Sequence, residues 1–212
     1  MSNENRLVKV GLTGGIGTGK SSVGERWSRQ SGTAVIDADE LAHQTLTPGT
    51  PTYDEIVKTF GKGILAADGT IRRAALAEIV FGNEQKRFML NRIIHPAVRQ
   101  MWTDGMARLE REGRTRCVVV SVPLLYEVGA ENEFHCVVVV GCSEQTQLVR
   151  LAVKGMTEAD ARARIRAQWP LQMKMDRADF VIWNDGLPEV FHQQADIVWA
   201  QIKESYHAAS KN

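Results

Sequence analysis

Gly14-Gly15-Ile16-Gly17-Thr18-Gly19-Lys20-Ser21 constrains this chain more than any other stretch. It fits the spacing G-x-x-x-x-G-K-S/T in full. Glycines let the backbone curl so that successive N–H groups point into one concavity, which suits anionic oxygens. A helix opening there adds the positive end of its dipole. The neighbouring sequence suits such a turn. Leu7 to Thr13 is a mostly apolar strand, and a helix is predicted from about Lys20 to Arg29. The loop is therefore predicted to bind a nucleoside triphosphate. Lys20 would reach the β- and γ-phosphates, and the Ser21 hydroxyl would coordinate Mg²⁺.

Further strands are legible at Ala34-Val35-Ile36, Cys117 to Val122, Cys136 to Val140 and Phe180-Val181-Ile182. The runs at 117 and 136 are continuously apolar, as expected of strands buried on both faces of a parallel sheet. Helical segments separate the strands, so the class is α/β with a parallel five-stranded sheet flanked by helices. The connection between the second and third strands is far longer than an ordinary crossover, and an inserted helical lobe is expected there. Within it Leu90, Ile93, Ile94, Ala97, Val98, Met101 and Trp102 recur at helical spacing. Pro96 predicts a kink or break near His95.

Charge and cysteine content narrow the partners. Across 212 residues, 26 Lys and Arg face 25 Asp and Glu, a formal net charge of +1. So even a balance makes non-specific binding to nucleic acid or an anionic membrane a poor expectation. No apolar run reaches the ~18 residues of a membrane span. The polar start, Met-Ser-Asn-Glu-Asn-Arg, lacks the layout of a signal peptide, so a cytoplasmic location is expected. The three cysteines, Cys117, Cys136 and Cys142, include no C-x-x-C pair and read as small buried hydrophobes.

Other motifs sort this chain among phosphate-loop proteins. The D-x-x-G and N-K-x-D signatures of switch GTPases do not occur. Neither the strand ending at Ser121 nor that ending at Gly141 closes on an acid, unlike the usual ATP-driven motor. Acid does follow the second strand, at Asp37 and Asp39. Residues just past strand carboxyl ends face the ligand crevice of a doubly wound sheet. Asp39 or Asp37 could take a proton from an attacking hydroxyl or hold the metal through water, while Asp37 could equally cap a helix and Asp39 complement the dipole of its first turn. From Ser143 to Arg177 a helical segment carries seven basic and four acidic residues, Arg150 and Lys154 among the former. It reads either as a solvated face or as a lid that excludes water during phosphoryl transfer.

In order, Gly11 to Ser21, Ile36-Asp37-Ala38-Asp39, Phe60-Gly61, Asp68-Gly69, His95-Pro96, Pro123-Leu124-Leu125-Tyr126-Glu127, Gln168, Ala178-Asp179 and Asn184-Asp185-Gly186 resemble the dephospho-coenzyme A kinase family along nearly the whole chain. The resemblance implies ATP-dependent phosphorylation of the ribose 3′-hydroxyl of dephospho-coenzyme A, with Mg²⁺. It implies a kinase core over about 6–48, 115–142 and 178–210, a substrate lobe over about 49–114 and a lid over about 143–177. Asp39 would be the base. Gly15, Gly17, Thr18, Gly19, Lys20, Ser21 and Ser22 would serve the phosphates and metal, and Asn184 would border the adenine. His95, Pro123, Leu124 and Glu127 would line the acceptor side, and Arg150 and Lys154 would act from the lid. Two positions depart from the family pattern: Lys154 stands where Arg is expected, in a turn one residue shorter, and Trp183 precedes Asn184 in place of a polar residue. The partner implied is a small molecule, with no nucleic acid and no membrane, and the chain would be a monomer or small homo-oligomer. The alternatives are a phosphate-loop kinase for another nucleoside or nucleotide, and a non-catalytic ATP-binding regulator.

Overall fold

A computed structural model of the chain describes residues 7–80 and 82–209. Five strands, β1 (Val8–Gly14), β2 (Thr33–Asp37), β3 (Cys117–Ser121), β4 (Cys136–Gly141) and β5 (Phe180–Trp183), form one sheet in the order β2-β3-β1-β4-β5. The sheet is parallel, as the apolar runs predict. β1 is central, with Val10 opposite Val119 of β3 and Cys136 of β4. Its neighbours are reached by crossovers in opposite directions, which opens a crevice at its carboxyl end. The glycine-rich loop follows β1 at that end.

By contacts the chain divides into two compact units, Met1–Ile36 with Met106–Asn212, and Asp37–Gly105. In the first, Val10, Leu12, Val119, Val138, Val140 and Ile182 meet helices α1 (Lys20–Ser28) and α9 (Pro188–Ala209) in one core. Phe191, Ala195, Val198, Trp199 and Ile202 form the buried stripe of α9, at the three- and four-residue spacing of one helix face. Trp27 of α1 is wholly buried, lies 5.1 Å from the Trp199 ring and donates its indole N–H to the Ala195 carbonyl at 3.0 Å. A buried indole usually finds such a partner. On the edge strand β5, the Gln194 side chain accepts from Trp183 N–H and donates to Trp183 C=O, both at 3.0 Å. One amide thus satisfies both polar groups of that residue.

The second unit contains α2 (Ala38–Thr45), α3 (Pro51–Phe60), α4 (Arg73–Val80) and most of α5 (Glu84–Glu112). Thr50 caps α3, accepting from Tyr53 N–H at 3.1 Å, with Pro51 at the first helical position. Ile56, Ile64, Ile71 and Leu76 centre the core, joined by Leu90, Ile93 and Ile94 of the predicted stripe. Of the kink or break expected near His95, the break does not occur: α5 runs unbroken from Glu84 to Glu112. Apolar contacts on both sides of the proline hold the helix: Ile93 and Ile94 before it, and buried Val98 and Trp102 after it. Packing overrides the local cost of the missing N–H. His95 is half-buried inside this helix, not at a boundary.

Two outcomes follow for α5. Pro96→Ala should stabilise the protein by about 1–3 kcal/mol, by restoring an N–H to the ladder. A lowered denaturation midpoint would show that the proline geometry is required for packing. Burial pushes the His95 imidazole below its ordinary 6.5. A depressed folded value means the unfolded chain takes up the proton first as pH falls, so stability declines below about 6.5. His95→Asn should flatten that decline in urea titrations between about pH 7.5 and 5.5.

Candidate active site

The loop after β1 takes its shape from glycines at Gly14, Gly17 and Gly19, all with positive φ. At Gly19, φ is 105°, and a Cβ there would lie 2.4 Å from the Asn184 amide nitrogen. At Gly14 it would lie 2.1 Å from the Val140 carbonyl oxygen. Both the backbone angle and the close approach exclude a side chain. Thr18 is buried and donates its hydroxyl to Gly15 C=O at 2.9 Å. Lys20 opens α1, its Nζ 2.9 Å from Gly15 C=O and 3.3 Å from Gly14 C=O. Ser21 and Ser22 are exposed in the first turn of that helix.

Three carbonyls of this loop are taken by side chains of later elements. Ile16 C=O accepts from Gln147 Nε2 at 2.7 Å. Gly17 C=O and Thr18 C=O each accept from Arg150 at 3.3 Å, and Thr18 C=O also accepts from Asn184 Nδ2 at 2.7 Å. In a trans peptide the N–H points opposite to the C=O. Carbonyls drawn outward at Ile16, Gly17 and Thr18 therefore turn the N–H groups of Gly17, Thr18 and Gly19 the other way. Thr18 N–H has a long internal bond, 3.4 Å, to Gly15 C=O. The result is a cradle of oriented amides at a helix N-terminus, an arrangement whose chemistry suits an anion.

The residues behind the loop come from α6 (Glu144–Val153) and the end of β5. Ser143 caps α6 and is fixed by Asp185, whose two carboxylate oxygens each lie 3.0 Å from Ser143 N–H. Asn184 is buried, and its own N–H bonds Gly141 C=O at 2.7 Å. Arg150 also donates to Asn184 C=O at 2.9 Å. Thus Arg150 and Asn184, predicted separately, meet on the loop. Cys142 lies beside them, buried, and burial pushes its thiol up to about 11 despite the nearby Arg150. Cys117 and Cys136 are also buried and in no disulfide among the described residues, and burial carries the Cys117 thiol up to about 12. All three fit the reading as small hydrophobes.

Pro123 to Glu127 form a second cluster past β3. Lys174, in α8 (Leu171–Met175), is wholly buried. Its ammonium lies 2.7 Å from Glu127 Oε1 and 2.9 Å from Pro123 C=O. Glu127 Oε1 also accepts from Trp169 N–H at 2.9 Å, while its Oε2 is buried with no partner. Trp169 stacks near Tyr126, with ring centroids 6.3 Å apart, and Arg177 lies over the Trp169 face. The basic segment is therefore not one solvated face: Lys174 is internal and ion-paired. Leu125 is wholly buried, whereas Pro123 and Leu124 are partly exposed.

The remaining predicted residues belong to other stretches of the chain. Lys154 is exposed at the end of α6. In the other unit, Asp37 caps α2, its carboxylate accepting from Asp39 N–H at 2.8 Å and Glu40 N–H at 3.3 Å. Asp39 and Glu40 are both exposed acids in the first turn of that helix. His95 belongs to the same unit. Gln147 was not legible as functional, because a single Gln in a helix carries no spacing signal. Gln168 bonds Ile16 N–H at 2.8 Å. Among the described residues, no group of three or more His, Cys, Asp or Glu side chains could hold a metal ion. The Ser21 hydroxyl next to the amide cradle fits a metal carried in with a triphosphate, which needs few protein ligands.

A family model described as dephospho-CoA kinase matches residues 8–189. The chain belongs to the dephospho-CoA kinase family. A dephospho-CoA kinase from Geobacillus kaustophilus is 49% identical over 188 residues, covering 88% of this chain and 92% of the relative. Among solved structures, a Thermus thermophilus protein matches with a TM-score of 0.75 at 30% identity, over 92% of this chain and 98% of that one. A dephospho-CoA kinase from Campylobacter jejuni matches with a TM-score of 0.67 at 27% identity, over 97% of this chain and all of that one. Family membership covers the glycine-rich loop and both clusters behind it.

Gly19→Ala should weaken ATP binding about 5- to 150-fold in calorimetric titration while the protein stays folded, since the strain of about 1–3 kcal/mol falls on the loop itself. Wild-type affinity would show that the positive φ is dispensable. Glu127→Ala should cost about 3–5 kcal/mol in denaturant unfolding, because it strands a buried ammonium. Adding Lys174→Met to that variant should recover a measurable part of the loss.

Proposed function

We propose that this chain phosphorylates the ribose 3′-hydroxyl of dephospho-coenzyme A with ATP, giving coenzyme A and ADP. One observation carries the reading: three consecutive loop carbonyls are held outward by Gln147, Arg150 and Asn184, leaving the opposite face of amides for phosphate oxygens. Family membership supplies the acceptor. In this reading Gly15, Gly17, Thr18 and Gly19 surround the phosphates, and Lys20 moves from its resting bonds on the loop carbonyls to the β- and γ-phosphates. Ser21 would hold Mg²⁺, with Ser22 beside it, and the ion would neutralise charge on the phosphate oxygens.

Asp39 is the proposed base that accepts the proton of the attacking hydroxyl. Its exposure suits a group that must meet a diffusing acceptor. The Asp37 cap supports this assignment, because Asp37 is committed to two backbone N–H groups. His95, Pro123, Leu124 and Glu127 are proposed to line the acceptor side, and Asn184 the adenine side. Lys154 is proposed to bring its charge to the transferring phosphoryl group, and Arg150 to act from its position on the loop. The rate enhancement would come chiefly from positioning and charge neutralisation. Buried free thiols agree with a reducing, cytoplasmic setting.

An ADP-release assay across acceptors tests the proposal. Dephospho-coenzyme A should support turnover well above adenosine, other nucleosides and nucleotides, and preference for one of those would replace the acceptor. Asp39→Asn should lower turnover by roughly 10²–10⁴ with ATP affinity kept, the usual range for a general base. Turnover within about threefold of wild type would remove Asp39 from the mechanism.

A further inference from the structure

The peptide groups of Ile16 are gripped from both sides by side-chain amides of opposite polarity. Gln147, on α6, donates Nε2–H to Ile16 C=O at 2.7 Å. Gln168, just past α7 (Glu158–Arg166), accepts Ile16 N–H on Oε1 at 2.8 Å. The polarity of each amide is fixed, since a carbonyl can only accept and an N–H can only donate. Gln147 is buried to 4% exposure, where an amide without partners would be costly. The adjacent glycine fits the same device, because a Cβ on Gly15 would lie 2.6 Å from Gln147 Nε2.

We propose that Gln147 and Gln168 are positioning residues that set the orientation of the phosphate loop through Ile16. Holding Ile16 C=O outward fixes the plane of the next peptide, and with it the direction of Gly17 N–H. Holding Ile16 N–H on Gln168 removes it from the cradle, so Ile16 offers no donor to the phosphates. The two glutamines sit before and after α7 in sequence, and a salt bridge between Arg162 and Glu144 joins α7 to α6. The helices after β4 therefore hold the loop by two points of one residue. The inference rests on the loop as a triphosphate site, but not on which acceptor is phosphorylated.

A carboxylate can replace Gln168, because it still accepts from Ile16 N–H. It cannot replace Gln147, because it would face Ile16 C=O as a second acceptor. Gln147→Glu and Gln168→Glu add the same charge at the two ends of one residue, so their comparison isolates polarity from charge. ATP affinity by calorimetry and the KM for ATP should worsen about ten- to hundredfold more in Gln147→Glu than in Gln168→Glu, the range for one buried carbonyl left unpaired. In saturating ATP, kcat should differ by less than about threefold, as expected when ground-state and transition-state binding fall together. Ile16 amide hydrogen exchange should stay slow in Gln168→Glu and accelerate in Gln168→Met. Equal ATP affinity in the two Glu variants, within about twofold, would overturn the proposal. Should Gln147→Glu fail to fold, Gln147→Met and Gln168→Met provide the second comparison. Both should weaken ATP binding, and wild-type affinity in the pair would equally overturn it. ATP binding is read without turnover, so an error in the assigned acceptor leaves this test intact.

Discussion

A loop that offers its N–H groups to a ligand must have its carbonyls satisfied by something else. Backbone polar groups cannot be left without partners near a protein interior. In this chain the partners are side chains from elements far along the sequence: Gln147, Arg150 and Asn184. The loop's shape is thus a tertiary property. Glycines permit the curl, but hydrogen bonds from α6 and the end of β5 choose it.

This requirement explains the order of the sheet. β4 lies beside β1, so the helix leaving β4 starts next to the loop leaving β1. β5 lies beside β4 in parallel, which brings Asn184 and Asp185 to the same edge. Asp185 ties down the first residue before α6, and Asn184 ties down Thr18. On the other side, Thr13 donates to Pro123 C=O at 3.3 Å, and Lys174 reaches that same carbonyl. The loop is consequently braced from both neighbouring strands of β1. The wholly buried Lys174 is tolerated because a carboxylate and a carbonyl surround its ammonium.

Much of this was legible in the sequence, for identifiable reasons. Strands buried on both faces announce themselves as apolar runs, so β3 and β4 were placed to within a residue. The glycine-rich spacing located the cradle, since glycine there is a steric requirement. The stripe from Leu90 to Trp102 was legible as a helix face, but the fate of Pro96 was not. Local preference argued for a break, while contacts distributed along α5 decided for continuity. Lys174 was misleading for a related reason: a cation in a basic segment looks solvated until its partner, 47 positions earlier at Glu127, is placed beside it. Gln147 left no trace, because its role depends on one carbonyl that only the fold brings near.

Arg150 and Lys154 illustrate how shape divides labour between residues of equal charge. Arg150 serves three carbonyls at once, those of Gly17, Thr18 and Asn184, from one planar group. A lysine could not span them, because its donors diverge from a single nitrogen whereas the guanidinium presents a fork. That duty draws Arg150 towards the outer face of the loop. Lys154 sits exposed one turn later, where a compact ammonium on a flexible stem can follow a charge that moves. Under the proposed reaction Arg150 is thereby a brace and Lys154 the mobile charge.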